Sequence, residues 1–148
     1  MSAIKLTEKE EKRIWSFLED QTVLNFATSA NDIPWCASCY YAFDEKMKTL
    51  VFKTDNDSRH MQEALNQEFV AGTVLPDKQK TGVVKGIQFQ GKMVTEDESI
   101  LERAKKKYYK KFPFAKVMEG EIAVVELTLV KLTDNKLGFG KKLLWERV

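Results

Sequence analysis

After residue 20 the hydrophobic residues of this chain change from a helical spacing to a spacing of two, and this change constrains the fold most strongly. Before it, Thr7 and Glu10 have the spacing of a capping box and predict a helix that ends near Asp20. The predicted apolar face of that helix consists of Ile14, Trp15, Phe17 and Leu18. From Val23 onward, the alternation of apolar and polar residues indicates β-strands.

Turn-forming residues divide the rest of the chain into seven predicted strands and two further helices. The strands are residues 23–28, 35–43, 48–54, 69–75, 83–94, 122–132 and 141–147, and the helices begin near Ser58 and Glu98. Glycines at 86 and 91 predict a bulge or bend in the fifth strand. Because hairpin connections predominate, we expect an antiparallel sheet that closes on itself to protect its edges. The sequence therefore predicts a mainly β fold, a barrel with peripheral helices, in one domain over residues 1–148.

Charge and cysteine content exclude several classes of function. The 24 basic and 22 acidic side chains nearly balance, which gives no global reason to expect nucleic acid or a membrane surface as a partner. Cys36, Cys39 and the single histidine, His60, are too few for a structural zinc site. Both cysteines are predicted to be buried, unbridged thiols, which fits a reducing compartment. With no apolar leader and no apolar stretch long enough to span a bilayer, we expect a cytoplasmic protein.

The segment from residue 52 to residue 60 is the strongest candidate for a binding site. A predicted strand ends at Thr54, and a helix begins near Ser58 with Arg59 and His60 in its first turn. Cations at a helix N-terminus are unfavourable unless an anion binds there, and a phosphate group can use the free N–H groups, a hydroxyl and a guanidinium together. The alternative is that Arg59 pairs with Asp55 or Asp57 on the surface.

Two other segments carry weaker signals. Residues 138–142 contain two glycines followed by lysines but lack the spacing of a phosphate-binding loop, so a turn before the last strand is the better interpretation. Residues 103–111 form a basic run. We interpret its lysines, at positions 105–107, 110 and 111, as a solvated helix face. The alternative is a patch for nucleic acid or an acidic partner. No set of catalytic or metal-binding residues can be assigned from spacing.

The ordered features resemble the pyridoxamine 5'-phosphate oxidase-like flavin split-barrel superfamily and, within it, the YhbP-like branch. The supporting stretches are residues 34–37, 58–60, 71–74, 85–89 and 133–142. The resemblance implies a six-stranded antiparallel split barrel of Greek-key type and a homodimer. It also implies FMN bound in clefts at the dimer interface.

The resemblance also assigns roles to particular residues. It places the FMN phosphate at Thr54, Ser58 and Arg59, with Lys53 and His60 beside them. It places the isoalloxazine ring along Ser38, Cys39 and Tyr40. Gln88 or Gln90 is expected to contact the cofactor, and Trp145 to reach the flavin of the partner subunit.

The chain also departs from that superfamily in two ways. His60 stands where a lysine is common, and the arginines expected of a true pyridoxamine phosphate oxidase are missing. That activity is therefore not expected. We expect an FMN-binding protein that acts as a flavin-dependent oxidoreductase on a small substrate. The alternative is a cofactor-free dimeric barrel that binds another phosphorylated or aromatic small molecule.

Overall fold

The computed structural model describes residues 5–138 and 141–148, which contain three α-helices and seven strands in the predicted order. The helices are α1 (Glu8–Asp20), α2 (Arg59–Asn66) and α3 (Glu98–Lys111). The strands are β1 (Val23–Ala30), β2 (Ile33–Asp44), β3 (Thr49–Thr54), β4 (Phe69–Val74), β5 (Lys85–Val94), β6 (Glu121–Asp134) and β7 (Lys142–Glu146). Short 3₁₀ helices cover Pro113–Val117 and Asn135–Leu137. The predicted turn at residues 138–142 includes residues 139 and 140, which lie outside the described ranges.

Six of the strands close into an antiparallel barrel, which confirms the predicted fold class. Their order is β3-β2-β1-β4-β5-β6, and pairing of β3 with β6 closes the ring. The long strand β6 makes this closure possible, because Glu121 to Glu126 pair with β3 while Leu129 to Thr133 pair with β7. Strand β7 therefore pairs with β6 outside the closed ring of six strands.

Helix α1 covers part of the barrel core, as its apolar pattern predicts. Thr7 and Glu10 form the capping box in both directions. The helix buries the predicted residues Ile14, Trp15, Phe17 and Leu18. Trp15 stacks on Phe43 at 5.7 Å between ring centroids and meets Trp145 edge-on at 5.0 Å. These contacts tie α1 to β2 and to the outer strand β7.

The predicted irregularity in β5 is a register shift between Gln90 and Gly91. A Cβ atom at Gly91 would lie 2.4 Å from Cγ1 of Val125 and 2.7 Å from the carbonyl oxygen of Glu126. Such distances are too short for any side chain, so this position requires glycine. The shift lets β5 follow the curvature of the barrel along the full length of β6.

Helix α3 and the 3₁₀ helix Pro113–Val117 cover the outside of one part of the barrel wall. A second hydrophobic cluster fills the space between them and consists of Ala42, Val51, Ala104, Tyr108, Phe112, Ala115 and Val124. Arg103 anchors the helix by two hydrogen bonds to the buried carboxylate of Asp44 at the end of β2. Of the predicted inner residues of α3, Ala104 and Tyr108 are buried and Ile100 and Leu101 are partly buried.

The prediction that both cysteines are buried is wrong. Cys36 is exposed and Cys39 is half-buried, although both are free thiols as expected. Trp35, which alternation places on the same face of β2 as Tyr41, is 42% exposed. The physical reason is that residues 33–38 of β2 belong to neither hydrophobic cluster, and Trp35 packs against the guanidinium of Arg59 at the start of α2. No helix in the described part of the chain is long and apolar enough to cross a membrane.

Candidate functional site

A cavity of about 410 Å³ lies between the barrel wall, the start of α2 and the 3₁₀ helix Pro113–Val117. This volume is within the range typical of small-molecule sites. Its lining brings together six of the predicted site residues, Ser38, Cys39, Tyr40, Lys53, Thr54 and His60. The remaining lining residues are Val23, Tyr108, Phe114, Ala115, Met118 and Glu119.

The polar end of the cavity is built at the junction of β3 and α2. Nε2 of His60 lies 2.8 Å from Oγ1 of Thr54 and 3.2 Å from Oγ of Ser58. Ser58 is the N-cap of α2, where its hydroxyl accepts a hydrogen bond from the N–H of Met61. The first turn of a helix leaves backbone N–H groups without intrahelical partners. The Thr54 hydroxyl, the imidazole and these donors are groups that bind an anion, whereas Ser58 is not among the residues that line the cavity.

Lys53 adds a permanent positive charge to the same cavity, and hydrogen bonds hold its side chain in one position. Its Nζ donates hydrogen bonds to the carbonyl oxygens of Ala115, at 2.8 Å, and Met118, at 2.6 Å. The ammonium also lies 5.1 Å from the ring centroid of Tyr109. Lys53 therefore fastens the 3₁₀ helix Pro113–Val117 over the end of β3, and it raises the electrostatic potential of the cavity.

Aromatic and apolar side chains form the other walls of the cavity. Tyr40 packs on Phe112 at 5.6 Å between centroids, and Phe112 meets Phe114 at 6.0 Å. Tyr40, Phe114 and Met118 nevertheless remain 55%, 58% and 56% exposed. Large apolar side chains that are half exposed around a cavity are typical of a surface that another molecule covers. The cavity thus suits a ligand with a flat apolar part and an anionic end.

Three ionisable groups of the walls, Cys39, His60 and Tyr108, are held in their uncharged forms. Burial raises the pKa of the Cys39 thiol to about 11, so Cys39 is a neutral thiol and not a nucleophile. Burial also raises the pKa of Tyr108 and lowers the pKa of His60. Among the described residues, no cluster of histidine, cysteine or acidic side chains could hold a metal ion. The chemistry that the site offers is therefore binding and orientation.

Arg59, predicted to contact a phosphate group, does not line the cavity. Its Nε lies 3.0 Å from Oε2 of Glu63 one turn along α2, and its guanidinium stacks on Trp35 at 4.0 Å from the ring centroid. The predicted phosphate contact of Arg59 stays a prediction, whereas the alternative, pairing with Asp55 or Asp57, is wrong. The reason is geometric, because Glu63 stands at the i+4 position and β2 brings Trp35 beside the same helix face.

Gln88, Gln90 and Trp145 lie away from the cavity within the chain. Gln88 and Gln90 are exposed on the outer face of β5, where Gln88 is the register partner of Thr73. Thr73 accepts a hydrogen bond from Asn25, which in turn accepts one from Ser38. Ser38 is a lining residue, so a polar row runs from the cavity across β1 and β4 toward Gln88. Trp145 is half-buried against Trp15.

Sequence reasoning missed the wall that comes from the end of α3 and the residues after it. The sequence pattern predicts only packing for Tyr108. It assigns no role to Phe114, Ala115, Met118 or Glu119. One sequence signal could have indicated them. Residues 112–118 contain several apolar side chains after a helix end, with no strand pattern to bury them.

Comparison with known structures identifies the class of fold. A heme-binding protein from Mycobacterium smegmatis superposes with a TM-score of 0.75 at 14% identity, covering 97% of this chain and 60% of that one. An FAD-binding protein from the same organism superposes with a TM-score of 0.64 at 13% identity, covering 95% and 98%. At such identities the likeness shows the fold alone, a split barrel of the kind that the sequence resemblance implied.

The particular family follows from closer relatives. A UPF0306 protein from Serratia proteamaculans is 38% identical over 143 residues, which are 95% of this chain and 98% of that protein. No family model matches the chain. The identity and the coverage show that the chain belongs to the UPF0306 family.

Proposed function

We propose that this protein binds FMN in the cavity and acts as a flavin-dependent oxidoreductase on a small substrate. The observation that carries the proposal is that one cavity joins a polar end, lined by Thr54, His60 and Lys53, to an aromatic wall that includes Tyr40. A flavin mononucleotide has this combination of a phosphate and a flat ring system. The FAD-binding and heme-binding structural neighbours support a cofactor of this general kind.

Different residues of the cavity would hold different parts of the cofactor. Thr54 and His60 would bind the phosphate, Ser58 would orient the imidazole, and Lys53 would add positive potential. Ser38, Cys39 and Tyr40 would lie along the ring system. When bound, FMN supplies the electron transfer, while the protein provides orientation and electrostatics. The neutral thiol of Cys39 fits this division because it does not compete as a nucleophile.

A homodimer completes this proposal. The outer face of β1, β2, β4 and β5 presents small uncharged residues next to the cavity, namely Asn25, Ala27, Ser38, Ala71, Thr73, Gln88 and Gln90. A second copy would cover this face and the exposed rim of the cavity. It would also bring its own Gln88, Gln90 or Trp145 toward the ligand. We place the protein in the YhbP-like branch, and the two free cysteines support a cytoplasmic location.

The absorbance spectrum of the purified protein, taken after addition of FMN and exhaustive dialysis, tests the proposal. Retained flavin gives bands near about 370 and 450 nm. Thr54→Val removes one phosphate ligand at nearly constant volume and should reduce retention. Thr128→Val on β6 is the matched control, because Thr128 does not line the cavity. Wild-type protein that retains no flavin, or a Thr54→Val variant that retains as much as wild type, contradicts the proposal.

A further inference from the structure

Two neighbouring basic residues at the start of α2 have entirely different surroundings. Arg59 is bound by the protein's own side chains, whereas His60 faces the cavity. The sequence alone suggests the opposite division, because a guanidinium is the stronger anion ligand.

Two side chains engage Arg59. Oε2 of Glu63 accepts a hydrogen bond from its Nε at 3.0 Å, and Trp35 stacks against its guanidinium at 4.0 Å. Glu63 is itself fixed, because Oγ1 of Thr28 donates a hydrogen bond to its other carboxylate oxygen at 2.8 Å. The Glu63 side chain is only 12% exposed, so withdrawing Arg59 would leave a poorly solvated carboxylate with one hydrogen bond fewer. The Nε and one face of the Arg59 guanidinium are therefore engaged within the protein.

The hydrogen bonds around His60 fix which of its nitrogens carries a proton. The Ser58 hydroxyl donates its single hydrogen to the carbonyl oxygen of Asp55 at 2.7 Å. It can therefore only accept from Nε2 of His60, which makes Nε2 the protonated nitrogen of the neutral ring. Nδ1 then has a free lone pair, and it forms no hydrogen bond within residues 5–138 and 141–148. Further protonation of His60 must take place at Nδ1.

Among the described ionisable groups near the polar end of the cavity, His60 is the one whose charge we expect to change near neutral pH. Lys53 is a permanent cation held by two carbonyl oxygens, and Glu119 lines the cavity as an exposed carboxylate. Asp55 and Asp57 belong to the connecting loop, where Asp55 accepts the N–H of Asp57. Cys39 and Tyr108 are neutral, and the Phe26 ring covers His60 edge-on at 6.0 Å.

We propose that His60, and not Arg59, recognises the anionic end of the ligand, and that a phosphate-bearing ligand binds together with one proton taken up by His60. This inference rests on the proposed function only for the identity of the ligand as FMN. The shared chemistry is a phosphate monoester or free phosphate, and the tests below separate the two.

The physical basis is the opposite effect of burial and of an anion on the imidazole. Burial disfavours the imidazolium and lowers the pKa of His60 in the free protein, so the ring is neutral at pH 7. A dianionic phosphate within hydrogen-bond distance favours the imidazolium and raises that pKa. At a pH between the two values, binding takes up a proton. Affinity then falls as the pH rises, which an arginine or lysine ligand would not cause.

His60 can be observed directly, because it is the only histidine in the sequence. The imidazole signals of untagged protein, followed by NMR against pH, give its pKa without assignment. We expect the pKa to rise by about one unit on saturation with FMN, equivalent to a tenfold preference for the protonated form. Inorganic phosphate should produce a smaller rise, and riboflavin, which lacks the phosphate, should produce none.

Three variants separate His60 from Arg59 in binding. His60→Gln retains a donor near the position of Nε2 without a titratable charge, and His60→Lys supplies a permanent charge. Between pH 6 and pH 8.5, the FMN affinity of wild type should fall about tenfold more than that of His60→Gln, which corrects for titration of the phosphate itself. His60→Lys should lack this additional fall. Arg59→Gln should bind FMN within about threefold of wild type at each pH.

The outcomes distinguish this inference from the proposed function. If FMN binds but the pKa of His60 is unchanged, or if Arg59→Gln loses as much affinity as His60→Gln, the inference is wrong and the flavin proposal stands. If FMN fails to bind while inorganic phosphate raises the pKa of His60, the flavin proposal is wrong and the inference stands. If neither probe changes the pKa, the inference is wrong whatever else the cavity binds.

Discussion

The two halves of strand β2 belong to different parts of the barrel wall, and the difference separates stability from function. From Tyr41 to Asp44 every residue is buried, because the core packs on one face and α3 covers the other. From residue 33 to residue 40 the same strand is exposed or half-buried. The last four residues of β2 are thus covered by this chain, whereas residues 33–40 keep a face exposed to solvent.

The register extends this contrast around the barrel. A row of small apolar residues, Ala42, Val51 and Val124, crosses β2, β3 and β6 beneath α3. A row of polar residues, Ser38, Asn25, Thr73 and Gln88, crosses β2, β1, β4 and β5 without a helix over it. We call these the covered wall and the open wall. The cavity lies where the two walls meet.

The largest effect should come from breaking the covered wall at Asp44. Its carboxylate, 3% exposed, accepts two hydrogen bonds from Arg103 and one from the N–H of Lys46 at 3.1 Å. Asp44→Ala should lower the free energy of unfolding by about 2 kcal/mol, measured by chemical denaturation, because the guanidinium of Arg103 and the N–H of Lys46 lose a charged acceptor. Glu102→Gln on the same helix removes an exposed ion pair with Lys105 and should cost less than about 0.5 kcal/mol.

The same interaction predicts an acid-dependent loss of stability. Burial opposes the charged form of Asp44, but hydrogen bonds from Arg103 and the N–H of Met47 outweigh it, so its pKa lies below the ordinary value. A lowered folded-state pKa contributes stability above the unfolded-state value, near about 4, and that stability is lost as the pH falls through the folded-state pKa. The stability difference between wild type and Asp44→Ala should therefore shrink below about pH 4. A constant difference from pH 7 to pH 2 contradicts this account.

The next effect should come from placing a charge on the open wall. Ala71 lies on the outer face of β4 between Ala27 and Gln90. If two copies meet there, Ala71→Glu buries two like charges at the interface and should convert the dimer to a monomer, as measured by sedimentation velocity. FMN affinity should fall at least about tenfold, equivalent to about 1.4 kcal/mol, because the cavity rim is then exposed.

Lys105→Glu on α3 is the control for that experiment, since it changes charge on an exposed helix face away from the open wall. It should leave both oligomeric state and FMN affinity unchanged. A wild-type chain that sediments as a monomer contradicts the dimer. An Ala71→Glu variant that remains dimeric places the interface elsewhere.

The sequence predicted the covered wall better than the open wall, for a physical reason. Local patterns determine a capping box at Thr7 or an apolar helix face such as Ala104 and Tyr108, so these predictions are confirmed. The exposure of Cys36 and Trp35 depends on which other elements pack beside β2, and alternation within one strand cannot show that. An apolar residue that faces solvent contributes to the alternation of a strand in the same way as one that faces the core.

The candidate site shows the same limit. Thr54 and His60, which the sequence predicts as binding residues, both line the cavity, because a strand end, a helix cap and a basic side chain are adjacent in sequence. Their binding of a cofactor stays a prediction. The position of Arg59 could not be predicted, because it depends on Trp35, which a different strand brings to the helix. The wall at Phe114 and Met118 could not be predicted either, because Lys53 of β3 donates hydrogen bonds to carbonyl oxygens of this wall that are more than 60 residues further along the chain.

The smallest effect should come from the polar row of the open wall. Asn25 donates to Oγ1 of Thr73 at 3.0 Å and accepts from Oγ of Ser38 at 2.8 Å. Because all three side chains are solvated in the single chain, Asn25→Ala should lower its stability by no more than about 1 kcal/mol. In a dimer the same groups are buried, so the loss should grow at protein concentrations that favour dimerisation. Thermal unfolding of the variant and the wild type over a hundredfold dilution tests this. A stability difference that does not depend on protein concentration means that these polar side chains stay exposed to solvent.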